Sequence, residues 1–168
     1  MNDVCSTAFR EEMAEWLKRY PKEQQRSGVI EALRIVQEEN GGSLTVELMD
    51  AVAEYLQLPN IAVYEVATFY TMYNLQPVGK HIINVCTNIS CQLRGSSALM
   101  AHLKKTLGVE VNETTADGAI TLREVECLGA CVGAPAVQIG KAYHECVTPE
   151  KMTEILAKIT VPRGPHGK

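Results

Sequence analysis

No run of apolar residues approaches the roughly 18 that a membrane-spanning helix needs, so the chain is expected to have no span of its own. Met1 to Arg10 also lacks the basic-then-apolar order of a secretory signal, which predicts a cytoplasmic protein. The net charge of −4 is made of interspersed signs. Without a basic stripe to lie along phosphates, the chain is not expected to bind nucleic acid. Lys104 and Lys105 read as a solvated helix face. There is no Cys-x-x-Cys dithiol of the disulfide-reductase type. Nor is there a glycine-rich nucleotide motif after a strand or a nucleophile elbow, so the chain is not expected to bind NADH by itself.

What is there describes a folded, water-soluble protein. The composition is 46% hydrophobic and 21% charged over 168 residues. That gives room for one domain, or for a small helical piece followed by a compact domain of about 90 residues. Residues 1–77 read as helices that must bury their stripes against one another, forming a small bundle. Phe9, Met13, Trp16, Leu17 and Tyr20 share one helical face until Pro21. Ser27 is placed to cap a second helix carrying Val29, Leu33 and Val36, which Asn40-Gly41-Gly42 ends. Met49, Val52, Ala53 and Leu56 stripe a third helix from Thr45 to Leu58. Beyond Pro59, Asn60 is expected to cap a fourth that runs to Tyr73.

From residue 78 the pattern changes. His81 to Val85 is β-rich and leads into Cys86, and Leu99, Leu103 and Leu107 mark a helix that Gly108 ends. Asp117-Gly118 turns the chain into a second strand, Ile120 to Glu126, which leads into Cys127. Ala136–Ile139 and Ala142–Glu145 flank Gly140-Lys141 as a hairpin. A last helix is capped by Thr148, with Pro149 in its first turn and Met152, Ile155, Leu156 and Ile159 inward. Strand, helix, strand, hairpin, helix predicts an α/β (α+β) domain over residues 78–160, a small sheet covered by helices as in thioredoxin. Residues 161–168 read as a mobile tail.

Four of the six cysteines form two pairs, Cys86-x4-Cys91 and Cys127-x3-Cys131, separated by 35 residues. With no secretion signal, disulfides are disfavoured and metal or redox chemistry leads. Four soft thiolates satisfy the terminal positions of the two irons of a [2Fe-2S] cluster. A zinc site on the same four cysteines, supporting a non-redox interaction module, is the alternative. A cluster with four thiolates and two sulfides carries a formal charge of 2− when oxidised and 3− after one electron, so donors are expected around it. The candidates are the N-terminus of the helix after Cys91, Arg94 as a cation, and close backbone approach at Gly129 and Gly133. Pro135 suggests a cis peptide that holds the second loop. Cys5, in a frayed terminus, and Cys146, as packing, are read as unligated. His81, His102, His144 and His166 are not at ligand spacing, which disfavours a Rieske-type site.

Several stretches carry a resemblance. These are Tyr64 to Tyr73 (YEVATFYTMY), Gln76 to Lys80 (QPVGK), Cys86 and Cys91 followed by Leu93-Arg94-Gly95-Ser96, and Glu126 to Val132 (ECLGACV) with Ala134-Pro135. Together they resemble the thioredoxin-like [2Fe-2S] subunit family of NADH:quinone oxidoreductase, respiratory complex I. The resemblance implies a helical N-terminal region, a thioredoxin-like ferredoxin domain, and Cys86, Cys91, Cys127 and Cys131 as cluster ligands. It also implies an electron-transfer subunit, not catalytic alone, of an oxidoreductase and translocase peripheral to the membrane. FMN and NADH would sit on the partner subunit, whose reduced flavin gives the cluster one electron. NAD-linked hydrogenases and formate dehydrogenases use related subunits. Val66 to Asn74 is the candidate support for the cluster domain or the partner, with ordinary helix packing as the other reading.

Overall fold

The computed structural model describes residues 5–160, and its contacts divide the chain into two units, Met1–Pro77 and Val78–Lys168. The first holds four helices: α1 (Thr7–Leu17), α2 (Val29–Glu39), α3 (Val46–Leu56) and α4 (Asn60–Phe69). One apolar core joins them. Phe9, Met13, Leu33, Val36, Val52 and Leu56 are each no more than 1% exposed. Helices this short are marginal alone, so the shared core is what stabilises them.

Local chemistry sets most of the boundaries. Ser6 caps α1 by accepting the Phe9 N–H at 2.9 Å, and Thr45 caps α3 by accepting that of Leu48 at 3.3 Å. Ser27 is not a cap. It lies in a 3-10 turn, Gln25–Gly28, and α2 starts after Gly28, where an added Cβ would sit 2.8 Å from Leu17 Cδ2. Asn60 is the first residue of α4, and its amide donates to Asp50 Oδ1 at 2.7 Å.

Helix α4 stops four residues before Tyr73. Tyr70 turns extended, and tertiary partners then take over. The Tyr73 hydroxyl donates to the Ile30 carbonyl at 2.7 Å, and Asn74 ties to Gln37 and to the Gly42 carbonyl. Tyr73 and Asn74 are therefore packing residues of the helical unit, whereas Phe69 is 78% exposed.

The second unit contains β1 (His81–Cys86), α5 (Ile89–Leu93), α6 (Ser96–Leu107), β2 (Ile120–Val125), β3 (Val137–Ile139), β4 (Ala142–His144) and α7 (Pro149–Thr160). Its sheet has the order β2-β1-β3-β4, with β1 and β2 parallel and the other pairs antiparallel. A parallel pair needs a long crossover, which α5 and α6 supply. Alternation along the strands sorts the side chains. Ile83, Val85, Leu122, Val137 and Ile139 enter one core with Leu99 and Leu103 of α6 and Met152 of α7. Ile82, Asn84, Cys86, Thr121, Arg123 and Gln138 fall on the opposite face. This α/β arrangement places the ends of β1 and β2, and hence both cysteine pairs, at one edge of the unit.

Candidate metal centre

Cys86 is the last residue of β1. It lies opposite Val125, and its N–H donates to the Ala136 carbonyl at 3.1 Å. Two residues later Asn88 caps α5, its Oδ1 accepting the Ile89 N–H at 2.9 Å. The third residue of α5 is Cys91, 2% exposed. The sequence suggests a loop cysteine followed by a helix, but Cys91 sits inside a short helix of its own. Gly95, with φ near 101°, then redirects the chain into α6. Arg94 is exposed at the C-terminal cap of α5.

The second pair lies in irregular backbone. Cys127 follows β2 by two residues, and Gly129, at φ near 70°, turns its N–H to donate to Cys127 Sγ at 3.3 Å. Cys131 opens a 3-10 turn, Cys131–Gly133, which the Ala134–Pro135 cis peptide joins to β3. The segment after β4 straps this loop down. The Cys146 N–H donates to the Gly133 carbonyl at 2.6 Å, and the Val147 N–H to that of Pro135 at 3.0 Å. Glycine is required at 133 because of Glu145, not because of a sulfur: an added Cβ would lie 2.2 Å from Glu145 Oε2 and 2.6 Å from its Cβ.

The structure brings the two pairs together. Cys86 and Cys91 share a small buried cluster with Ala134 and Ala136, against which Leu128 and Ala130 pack, while Cys127 and Cys131 face outward. Burial pushes the Cys86 thiol up. The backbone N–H groups of Asn88 and Leu128 and the thiols of Cys91 and Cys127 more than offset this, so it lies below its ordinary value. For Cys91 burial wins. Its thiol is raised, the Ala136 N–H opposing and Cys86 and Cys131 adding to the rise. Peptide N–H groups that favour a thiolate are what an anionic cluster asks of its surroundings. The donors at Asn88, Leu128 and Ala136 are not visible in sequence, because any residue carries a backbone N–H and only the fold aims it.

Among the described residues, no three His, Cys, Asp or Glu side chains close around one point. Cys86 meets both Cys91 and Cys127, and Cys91 also faces Cys131, so thiols of the two loops face one another, and a two-iron cluster asks two sulfurs of each iron. The donor set fits such a cluster. The remaining cysteines differ from expectation. Cys5 is not frayed but 4% exposed in the helical core, where it packs as a small apolar residue. Cys146 is not packing material; it is exposed, at φ near 49°. Of the histidines, His102 meets Thr153 Oγ1 at 3.0 Å, while His166 and the expected tail, 161–168, lie outside the described residues.

Comparison with known proteins adds identity to this geometry. Residues 13–160 match the thioredoxin-like [2Fe-2S] ferredoxin family. The chain is 50% identical over 143 residues to the E subunit of NADH-quinone oxidoreductase from Rickettsia bellii (strain RML369-C), covering 85% of this chain and 86% of that one. It is 46% identical over 136 residues to the E subunit numbered 2 of NADH-quinone oxidoreductase from Rhizobium meliloti (strain 1021), covering 81% and 79%. Among solved structures it is similar to an NAD+-reducing [NiFe]-hydrogenase in the H2-reduced state, with a TM-score of 0.70 over 80% of this chain. At 20% identity that likeness is one of fold, and this chain spans 23% of the hydrogenase chain's length. Both the family match and the near-full-length relatives cover most of the sequence, and the chain belongs to the thioredoxin-like [2Fe-2S] ferredoxin family.

Proposed function

We propose that this chain is the electron-carrying subunit of an NADH:quinone oxidoreductase, holding one [2Fe-2S] cluster on Cys86, Cys91, Cys127 and Cys131. The observation that carries the reading is the approach of thiols from both loops, Cys86 to Cys91 and Cys127 and Cys91 to Cys131, beside backbone N–H donors. When bound, the cluster supplies one-electron chemistry, receiving its electron from FMN on a partner subunit that binds NADH. The chain's own residues hold and shield it. Cys86 and Cys91 anchor the inner side from β1 and α5, and Ala134 and Ala136 exclude water there. Cys127 and Cys131 form the outer side, where Ile89, Leu93 and Val132 expose apolar surface beside the cysteines. That rim suits a protein partner, since exposed apolar patches mark interaction sites.

Residues 78–160 are on this reading the cluster domain and residues 1–77 a helical unit that completes the subunit. Among the described residues no helix is long and apolar enough to cross a membrane. Association with the membrane surface would therefore come through the complex. Close relatives named as subunits of NADH-quinone oxidoreductase favour the quinone-linked context over a hydrogenase, for which only fold similarity speaks.

The test is to mix the loaded full-length chain with its flavin-bearing partner, add NADH, and follow the cluster by electron paramagnetic resonance. The expected result is a reduced-cluster signal that needs both NADH and the partner. A cluster that dithionite reduces but the NADH-charged partner does not would overturn the assignment of the electron source.

A further inference from the structure

A peptide N–H stabilises a thiolate only where the fold turns it toward the sulfur, and the second loop does this at two consecutive residues. The Leu128 N–H faces the Cys86 thiol, and the Gly129 N–H donates to Cys127 Sγ at 3.3 Å. Cys86 ends β1 and Cys127 follows β2, so one dipeptide reaches sulfurs that come from different strands. Successive N–H groups of this kind form a concavity that suits an anion. The side chain of Leu128 packs against the buried group of Cys86, Cys91, Ala134 and Ala136, which fixes the dipeptide in place.

Gly129 is where this arrangement depends on residue type. Its φ near 70° lies in the left-handed region, which glycine enters freely, asparagine at little cost and other residues at a penalty. Space is not the reason. A Cβ added at Gly129 would meet nothing within 4 Å, unlike one at Gly133, which Glu145 excludes. Nor does this turn close on a carbonyl. Gly108 and Gly118, also at positive φ, send their N–H groups to the carbonyls of Lys104 and Thr115 at 2.9 and 2.8 Å. At Gly129 the same conformation serves a sulfur.

We infer that Gly129 is a positioning residue: its left-handed turn holds the Leu128 and Gly129 N–H groups on the sulfurs of Cys86 and Cys127, and these donors raise the reduction potential of the centre. This rests on the proposed cluster site. In the step concerned the oxidised centre takes one electron from a reductant such as dithionite, and no bond is made or broken. The positive ends of two N–H dipoles meet the negative charge that is gained, which favours the reduced form.

The test is a dithionite redox titration of the loaded full-length chain, followed by electron paramagnetic resonance, for wild type, Gly129→Asn, Gly129→Ala and Gly129→Val, with iron counted in each. The potential should stay near the wild-type value in Gly129→Asn, which tolerates the left-handed turn, fall in Gly129→Ala and fall further in Gly129→Val. A second readout is the coupling of exchangeable protons to the reduced centre, compared in H2O and D2O, which should weaken in the same order. A role in packing alone would move neither, because the added methyl meets no neighbour. If Gly129→Ala and Gly129→Val load iron fully and keep the wild-type potential, the role of Gly129 is refuted and the cluster site stands. If those two load no iron, Gly129→Asn decides: full loading at the wild-type potential upholds the inference, and a lowered potential or lost iron overturns it. If wild type itself gives no reduced-cluster signal, the cluster reading fails first.

Discussion

The two cysteine pairs come from the same unit, yet their settings are opposite. Cys86 and Cys91 lie on regular structure, a strand end and a capped helix, and are no more than 3% exposed. Cys127 and Cys131 lie on irregular backbone that hydrogen bonds from residues 146 and 147 strap in place, and both are exposed. The difference assigns labour. On the proposed reading the inner pair would fix the cluster to the core, and the outer pair would present it to a partner. Rigid elements place ligands more accurately than loops, so the inner side defines the geometry and the outer side its access.

The largest effect should come from removing one ligand on each side. Cys91→Ala and Cys131→Ala should each abolish the cluster, seen as loss of visible colour and of iron. Only Cys91→Ala should also cost the cluster-free chain on the order of 1 kcal/mol by thermal melting, because only there is a buried sulfur lost. Equal stability of the two would break the comparison. Gly133→Ala comes next. Its new methyl would overlap Glu145, costing about 1–3 kcal/mol in the loaded protein. Glu145→Gly in the same chain should recover part of that loss, measured by denaturant midpoint.

A smaller effect is expected at the inner loop, where Asn88→Ala deletes the α5 cap and should cost about 1 kcal/mol. The smallest concerns the rim. Val132, 98% exposed, should tolerate Val132→Asp within about 0.5 kcal/mol of stability. The same change should weaken binding to the flavin-bearing partner in a titration, which separates access from anchoring.

Much of this was legible in the sequence where local chemistry decides. Thr45 and Thr148 as caps, Gly108 as a stop, the stripe Met49-Val52-Ala53-Leu56, and the hairpin around Gly140-Lys141 all stand in the structure. The cysteine spacing, C-x4-C and C-x3-C behind two strands, marked the candidate site without further help. The misreadings share a cause. Ser27 and Asn60 have the right chemistry for caps, but the close packing at Gly28 and the bond to Asp50 are tertiary and leave no local trace. The end of α4 was misplaced because Tyr73 and Asn74 bond to Ile30 and Gly42, far away in the chain.

The central claim is that four cysteines hold a two-iron centre, and the most direct measurement counts it. Iron, zinc and acid-labile sulfide should be determined on the anaerobically purified full-length chain. The dithionite-reduced protein should be examined by electron paramagnetic resonance, with Cys86→Ala and Cys127→Ala as controls. The account predicts two irons and two sulfides per chain and one spin-half signal that both variants lose. One zinc per chain, with no sulfide and no signal, would contradict it.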